Sequence, residues 1–376
     1  MILPPASLGL LGGGQLGRMF TVAARTMGYR VIVLEPDAHS PAGDVADEHI
    51  TAGYQDAAAL EQLRRDCAAI TTEFENAPAA SLVALADGRV VRPSGASVTI
   101  AQDRIREKIF LRDNGFPVGP FAAIEEGQPI ADATADMRYP ALLKTARFGY
   151  DGKGQARIAD MAAAQAVHQQ WNHIACVMEE FLPLKCELSV VLARGADGEA
   201  RTFPVAENQH RNGILDVSIV PARVNPALAE RACALAGQLA QKLDYVGVLA
   251  VEFFVLLDGS LLVNEIAPRP HNSGHFTIDA CRTSQFEQQV RALCGLPLGD
   301  PTLHSPVVMV NLLGDIWADG EPHWDVLFSH PSAKLHLYGK REARPGRKMG
   351  HFSVLGGTVD AALSVALQIR KDLTIA

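Results

Sequence analysis

Val248-Leu-Ala-Val-Glu252-Phe-Phe-Val-Leu-Leu257, Asp258-Gly259, Ser260-Leu-Leu-Val-Asn264-Glu265-Ile266 is the stretch on which the fold turns. Asp-Gly between two apolar, β-branched runs predicts a β-hairpin closed by a two-residue turn. In that register Leu257 opposes Ser260, and counting outward sets Glu252 against Glu265. Directly opposed side chains have Cβ atoms about 5 Å apart, where like charges repel. Two carboxylates in otherwise apolar strands therefore need either a partner between them or open solvent. A hard divalent cation such as Mg²⁺, held by one or two carboxylates plus substrate phosphates, meets the first need. Two solvated glutamates on an edge hairpin meet the second. The continuation Ala267-Pro-Arg269-Pro-His271-Asn-Ser-Gly-His275 adds a guanidinium, two imidazoles and an amide directly behind Glu265. That run favours a metal–phosphate site.

Upstream of the hairpin, a helix is expected near Ala227 to Leu243, and strands at Ala141–Lys144 and Ala175–Met178. Five residues after Lys144 begins Gly149-Tyr150-Asp151-Gly152-Lys153-Gly154-Gln155. Three glycines around a lysine describe a cationic flap that closes over phosphates and excludes water, or, more plainly, a turn with an exposed lysine. The spacing is not that of a Walker A loop, because it reads Gly-x-x-Gly-Lys with no Ser or Thr after the lysine. Beyond Met178, Glu179-Glu180-Phe181-Leu182 offers backbone groups to a planar base, and Glu187 offers a carboxylate to a ribose hydroxyl. Each of these alone is weak, since a glutamate is usually just solvated.

The first hundred residues alternate strand and helix: Leu8–Leu11, Gln15–Met27, Arg30–Leu34, Ala57–Arg65, Ala68–Thr71. This order predicts a parallel sheet covered by helices. Gly12-Gly13-Gly14-Gln15-Leu16-Gly17 satisfies G-x-G-x-x-G between strand and helix, and Glu35 follows Gly17 by eighteen positions. A NAD-dependent oxidoreductase is thus a competing reading. The loop serves equally for another phosphate at a helix N-terminus or for tight strand–helix packing. Pro93-Ser-Gly95 marks a boundary, and a charged amphipathic helix is expected from Ile100 to Asn114.

Composition bounds the rest. A chain of 376 residues suggests two or three domains, and 48% hydrophobic residues with a mean hydropathy of +0.07 are ordinary for a soluble protein. A net charge of −8 argues against nucleic acid as the main partner. The most apolar run, Tyr245 to Leu257, is broken by Glu252 and too short to span a bilayer. The N-terminus lacks the basic start of a secretory signal. Six scattered cysteines without a Cys-x-x-Cys pair suggest reduced thiols in a cytoplasmic protein.

Together, a lysine on a strand, a Gly-Lys flap, a Glu-Glu-Phe-Leu hinge and paired late carboxylates resemble the ATP-grasp superfamily. Within it, GGGQLGRM (Gly12–Met19), Glu35-Pro-Asp37, TTEFEN (Thr71–Asn76), GYDGKGQ (Gly149–Gln155), NEIAPRPHNSGH (Asn264–His275) and HLYGKREARPGRKMGH (His336–His351) are similar to the N5-carboxyaminoimidazole ribonucleotide synthetase family. The resemblance covers nearly the whole chain. It implies an α/β fold, α+β in its later parts. A Rossmann-like parallel-sheet domain would span 1–98, an ATP-grasp domain with a mobile subdomain at about 122–190 would span 99–305, and a small C-terminal domain 306–376. It implies ATP-dependent ligation of bicarbonate to 5-aminoimidazole ribonucleotide in purine biosynthesis. Its nearest alternative is a formate-dependent phosphoribosylglycinamide formyltransferase.

The resemblance also assigns roles. ATP would meet Arg104, Lys144, Gly149 to Gln155, Glu179, Glu180, Phe181, Leu182, Glu187, His210, Asn264 and Glu265. Mg²⁺, with Mn²⁺ as a substitute, would sit on Glu252 and Glu265. Asn264 would face away from the metal if its strand stayed regular. The ribonucleotide would meet Gln15, Glu73, Tyr150 and Asp151, and its phosphate the basic run Lys340, Arg341, Arg344, Arg347, Lys348, which otherwise reads as a solvated loop. Arg269 and His271 would flank bicarbonate, and Lys153 would hold ATP phosphates. His271, Asp151 or released phosphate would take the amine proton. A homodimer is implied.

Overall fold

The computed structural model describes residues 1–149 and 154–373. The N-terminal parallel sheet is present, in the order Glu48–Ile50, Arg30–Leu34, Ser7–Leu11, Ala69–Thr72, Val90–Val91. Helix Gln15–Thr26 packs on one face and Ala57–Asp66 on the other. Strands buried on both faces read as unbroken apolar runs, and Leu8, Leu10, Leu11, Val31, Val33 and Leu34 are fully buried. The two edge strands have three and two residues, too short to carry a periodic signal.

The helix expected from Ile100 to Asn114 is two helices. Gly95–Ala101 ends at Gln102, and Arg104–Asp113 restarts behind Asp103, whose carboxylate accepts from the Ile105 and Arg106 amides. Asp103 is an N-cap, not a member of a solvated charged face. A four-stranded antiparallel sheet follows, in the order Phe121–Ile124, Cys176–Glu180, Ala141–Thr145, Gln155–Ile158.

The largest sheet among the described residues is antiparallel along its main path. It runs Leu261–Ala267, Gly247–Leu256, Leu184–Arg194, Ala206–Arg211, Ile214–Val220, Val307–Leu313, Lys348–Leu355, Ala333–Leu337. Ile214–Val220 pairs with Val307–Leu313, so the C-terminal segment continues the sheet that carries the hairpin. Helix Val359–Asp372, capped by Thr358, covers the C-terminal strands.

In the hairpin, Glu252 does oppose Glu265, by a route the two-residue turn does not describe. The Leu256 amide donates to the Ser260 carbonyl at 2.9 Å, which encloses Leu257-Asp258-Gly259, and Gly259 sits at φ +85°. This is the three-residue hairpin loop with a glycine in the left-handed region. It shifts the register by one and pairs Phe253 with Val263, and a β-bulge at Asn264 shifts it back. Phe253 on the core face is fully buried, and burying such a side chain contributes roughly 1.5–3 kcal/mol. A one-residue slip would turn Glu252 into that core.

Candidate active site

The site is built where helix Arg104–Asp113, the hairpin and the loop after Glu265 meet. Arg104 Nη1 donates to Glu265 Oε2 at 2.6 Å, and its Nη2 to the Gly149 carbonyl at 3.3 Å. His271 Nε2 lies 3.1 Å from Glu252 Oε1. Burial alone would raise Glu265, but Arg104, with Lys144 and His271, holds its carboxyl well below the usual range. Its neighbour Glu107 goes the other way: burial, with the Glu265 charge beside it, pushes it up to about 8. The bulge removes the strict alternation expected to turn Asn264 away. Asn264 is 9% exposed, and its Oδ1 is buried without a hydrogen-bond partner among the described residues. Two facing carboxylates beside an orphaned amide oxygen are the donor set a hard cation takes, so these residues fit Mg²⁺.

Lys144 Nζ and Lys108 Nζ lie 3.0 and 3.3 Å from the two oxygens of Glu179, all three buried, and Lys108 also donates to the Asn264 carbonyl at 2.8 Å. Burial works against the Glu179 charge, yet Lys144 and Lys108 hold its carboxyl down at about 2. Glu179 therefore carries a side-chain role beyond the hinge backbone expected of it. Lys108 and Glu107 were absent from the expected site. Their signal was present in the spacing: Arg104, Glu107 and Lys108 share a helix face at i, i+3 and i+4, and the Asp103 cap sets where that helix starts.

Arg269 forms a two-point ion pair with Glu75, through Nε to Oε2 and through Nη2 to Oε1 at 3.2 Å. Burial would raise Glu75, but Arg269 lowers it. Glu75 belongs to TTEFEN and was another residue the expected site omitted. Glu73, expected against the ribonucleotide, has its carboxylate on the glycine loop, accepting from the Gly14 amide and, at 2.6 Å, from the Gly17 amide. A Cβ on Gly14 would stand 2.5 Å from Glu73 Oε1. Glu35 accepts from the Gly13 amide at 2.8 Å and from Tyr54 at 2.6 Å. The anion seat of the G-x-G-x-x-G loop is thus filled by the protein's own carboxylates, which removes the dinucleotide reading. Gln15 begins the helix beside them.

At the hinge, the Glu180 and Phe181 amides are bonded to the Pro120 and Pro140 carbonyls. Glu180 Oε1 accepts from the Arg138 amide, and Phe181 lies under the Arg157 guanidinium. Among the described residues the Leu182 amide has no main-chain bond. Glu187 Oε2 is 2.9 Å from His210 Nδ1; burial lowers that imidazole and Glu187 more than offsets it. On the basic run, Lys340 Nζ donates to the Lys348 carbonyl at 2.8 Å, Arg347 to the Glu342 carbonyl at 3.0 Å, and Arg344 pairs with Glu342. The Lys348 charge acts against protonation of both His210 and His275. Gly154 and Gln155 lead into strand Gln155–Ile158, where Gln155 pairs with Lys144. Tyr150, Asp151, Gly152 and Lys153 lie outside the described residues. No helix among the described residues is long and apolar enough to cross a membrane, and the six cysteines are free.

Three family models match the chain in sequence: the ribonucleotide synthetase preATP-grasp domain over residues 6–102, the ATP-grasp domain over 109–286, and the phosphoribosylaminoimidazole carboxylase C-terminal domain over 307–364. The N5-carboxyaminoimidazole ribonucleotide synthase of Bacillus subtilis (strain 168) is 46% identical over 355 residues, 94% of this chain and 93% of that one. The enzyme of the same name from Brucella melitensis is 46% identical over 93% of this chain and 96% of its own. An ADP complex of an N5-carboxyaminoimidazole ribonucleotide synthetase superposes with a TM-score of 0.92 at 42% identity, covering 98% of this chain and 97% of that one. The Aspergillus clavatus synthase in complex with ADP and 5-aminoimidazole ribonucleotide gives a TM-score of 0.88 at 30% identity, over 98% of both chains.

Proposed function

This chain belongs to the N5-carboxyaminoimidazole ribonucleotide synthase family of ATP-grasp ligases, and on that premise we propose that its cleft joins bicarbonate to 5-aminoimidazole ribonucleotide at the expense of ATP. The observation that carries the reading is the Glu252/Glu265 pair beside the orphaned Asn264 oxygen and the Lys144–Glu179–Lys108 cluster. Mg²⁺, or Mn²⁺ in its place, would be held by Glu252, Glu265 and Asn264, and would neutralise charge on the ATP phosphates.

A bicarbonate oxygen attacks the γ-phosphorus, ADP leaves, and the product is carboxyphosphate. Lys144 and Lys153 would neutralise the charge that spreads over the transferring group. Arg104 sets the Glu265 orientation, and Leu182 offers its amide to the adenine. Arg269, fixed by Glu75, and His271 hold bicarbonate and its adduct. The Gly-Lys flap, within the subdomain expected at about 122–190, would keep water from the mixed anhydride. The exocyclic amine of the ribonucleotide then captures carboxyphosphate or the CO₂ released from it, which gives the N5-carbamate and phosphate. Gln15, Glu73, Tyr150 and Asp151 would face the imidazole and ribose, and Lys340, Arg347 and Lys348 the phosphate. The protein would act as a cytoplasmic homodimer.

The test is phosphate release from Mg·ATP with the ribonucleotide and bicarbonate each supplied or withheld. Release that needs the ribonucleotide and rises with bicarbonate is the expected result. Release that instead requires formate and glycinamide ribonucleotide would overturn it in favour of the formyltransferase.

A further inference from the structure

Strand Leu261–Ala267, which carries Asn264 and Glu265, lies at one end of its sheet, with Gly247–Leu256 as its neighbour on one side. On its other side an edge strand has main-chain groups without a ladder partner. Here one helix and the loop behind it take them. The Val263 amide donates to the Pro117 carbonyl at 2.7 Å. The Asn264 carbonyl accepts from Lys108 Nζ at 2.8 Å, and the Ile266 amide donates to Glu107 Oε1. Arg104, one turn earlier on the helix, holds the Glu265 side chain at 2.6 Å.

Glu107 and Lys108 are only 2% and 3% exposed. Charged side chains are almost never buried so completely unless paired, and an edge open to water needs no such partners. The bulge explains them. Its extra residue, Asn264, stands outside the ladder, between Glu265 opposite Glu252 and Val263 opposite Phe253. A bulge bends the strand and re-aims a side chain, and the unpaired carbonyl it leaves must find a partner elsewhere. Lys108 is that partner, and Glu107 takes the outward amide two residues on. The re-aimed side chain is the one whose Oδ1 is buried without a partner beside the two facing carboxylates.

We propose that Lys108 and Glu107 are positioning residues that hold the bulged main chain at 264–266, so that the Asn264 oxygen and the Glu265 carboxylate face Glu252 around one divalent cation. This rests on the metal assignment within the ligase reading above. Both residues act through the main chain and not on the ion. Lys108 grips the strand before Glu265 and Glu107 grips it after, so the carboxylate is carried between two buried anchors. Loss of either anchor lets the strand relax toward a regular ladder, whose alternation turns the Asn264 oxygen off the site.

The test is Mn²⁺ binding to the full-length protein, held in excess over ADP and read by loss of the free-ion EPR signal. Glu107→Leu removes the acceptor for the Ile266 amide and leaves Lys108, Lys144 and Glu179 in place. It should weaken Mn²⁺ roughly 10- to 100-fold, the usual effect of losing a group that orients a ligand, and leave ADP binding in EDTA within about twofold of the parent. Glu107→Gln keeps an oxygen for that amide and should recover most of the loss. Lys108→Met keeps the aliphatic stem without the ammonium and should weaken Mn²⁺ by a similar factor. Parent-like Mn²⁺ affinity in Glu107→Leu overturns the proposal, and so do equal losses of Mn²⁺ and of metal-free ADP binding. Linkage supplies a measurement that needs no variant: if the clamp favours the ion, the ion must favour the clamp. Hydrogen exchange at the Ile266 amide of the parent should therefore slow when Mg²⁺ is added to the ADP complex. Exchange that Mg²⁺ leaves unchanged overturns the proposal, whether or not the variants fold. A parent that binds no Mn²⁺ would sink the metal assignment itself, whereas a parent that binds it and variants that match the parent sink this inference alone.

Discussion

Glu179 is a carboxylate with two ammonium partners and almost no water, and Glu179→Gln isolates what that arrangement contributes. Burial opposes its charge, and Lys144 with Lys108 reverses the balance, holding the carboxyl at about 2 against an ordinary 4.5. That gap corresponds to roughly 3 kcal/mol of stability at neutral pH. The folded value is depressed, so the contribution is fully present above the unfolded value and fades as pH falls toward the folded one. Between about pH 7 and about pH 3.5 it should shrink from roughly 3 to roughly 2 kcal/mol. An independent argument agrees: removing one member of a buried ion pair costs about 3–5 kcal/mol, because the remaining charge is left uncompensated. Glutamine keeps the shape and leaves two buried ammonium groups facing an amide. The assay is urea denaturation followed by tryptophan fluorescence, since Trp171 packs in the core of the sheet that carries Glu179. A variant within about 0.5 kcal/mol of the parent at neutral pH, the range of an ordinary surface change, would refute the reasoning. So would a difference that does not narrow on acidification.

Glu265→Gln should abolish most turnover and raise the Mg²⁺ concentration needed for half-maximal rate with the circular dichroism unchanged; a rate within about twofold of the parent would contradict the metal assignment. Gly14→Ala would place a Cβ 2.5 Å from Glu73 Oε1, so it should cost about 1–3 kcal/mol and raise the KM for the ribonucleotide. An unaltered melting temperature and KM would show that Glu73 does not occupy the loop. Glu75→Gln removes the two-point partner of Arg269; it should raise the KM for bicarbonate more than the KM for ATP, and equal effects on both would argue against Arg269 as the bicarbonate ligand.

The hairpin shows how far a sequence count reaches. Opposing Glu252 and Glu265 follows from the count, although the turn encloses three residues and the strand bulges at Asn264. The two displacements cancel because the pattern is anchored at both ends. Phe253 and Val255 must face the core, and Leu261 and Val263 must meet them. The bulge itself has no local signature, since Asn264 reads as an ordinary polar strand residue. The parallel N-terminal sheet was legible because its strands are continuous apolar runs, whereas Val90–Val91 is shorter than any period. The Asp103 cap was hidden inside a charged run, and with it the inward turn of Glu107 and Lys108. Partners distant in sequence were out of reach altogether: Glu75 with Arg269, and Ser189 with Ser273, meet only through the fold.

The glycine loop is where motif and chemistry part. G-x-G-x-x-G at a strand–helix junction states that amides at a helix N-terminus will hold an anion and that nothing bulky lies between. It does not state whose anion. Here the Gly14 and Gly17 amides hold Glu73, and the Gly13 amide holds Glu35, the residue a dinucleotide reading would give to a ribose. Burial pushes the Glu73 carboxyl up, and the two amides and Arg269 act against that rise. A pyrophosphate would have to expel a buried carboxylate and forfeit both amide bonds before making any of its own. Equilibrium dialysis against NAD should therefore detect no binding at millimolar concentrations. The same geometry explains why glycines are needed without a nucleotide: a Cβ at Gly12 or Gly13 would stand 2.4 Å from Glu73 or Glu35. The loop holds Glu73 on its amides, and the dinucleotide signature is what that arrangement looks like in one dimension.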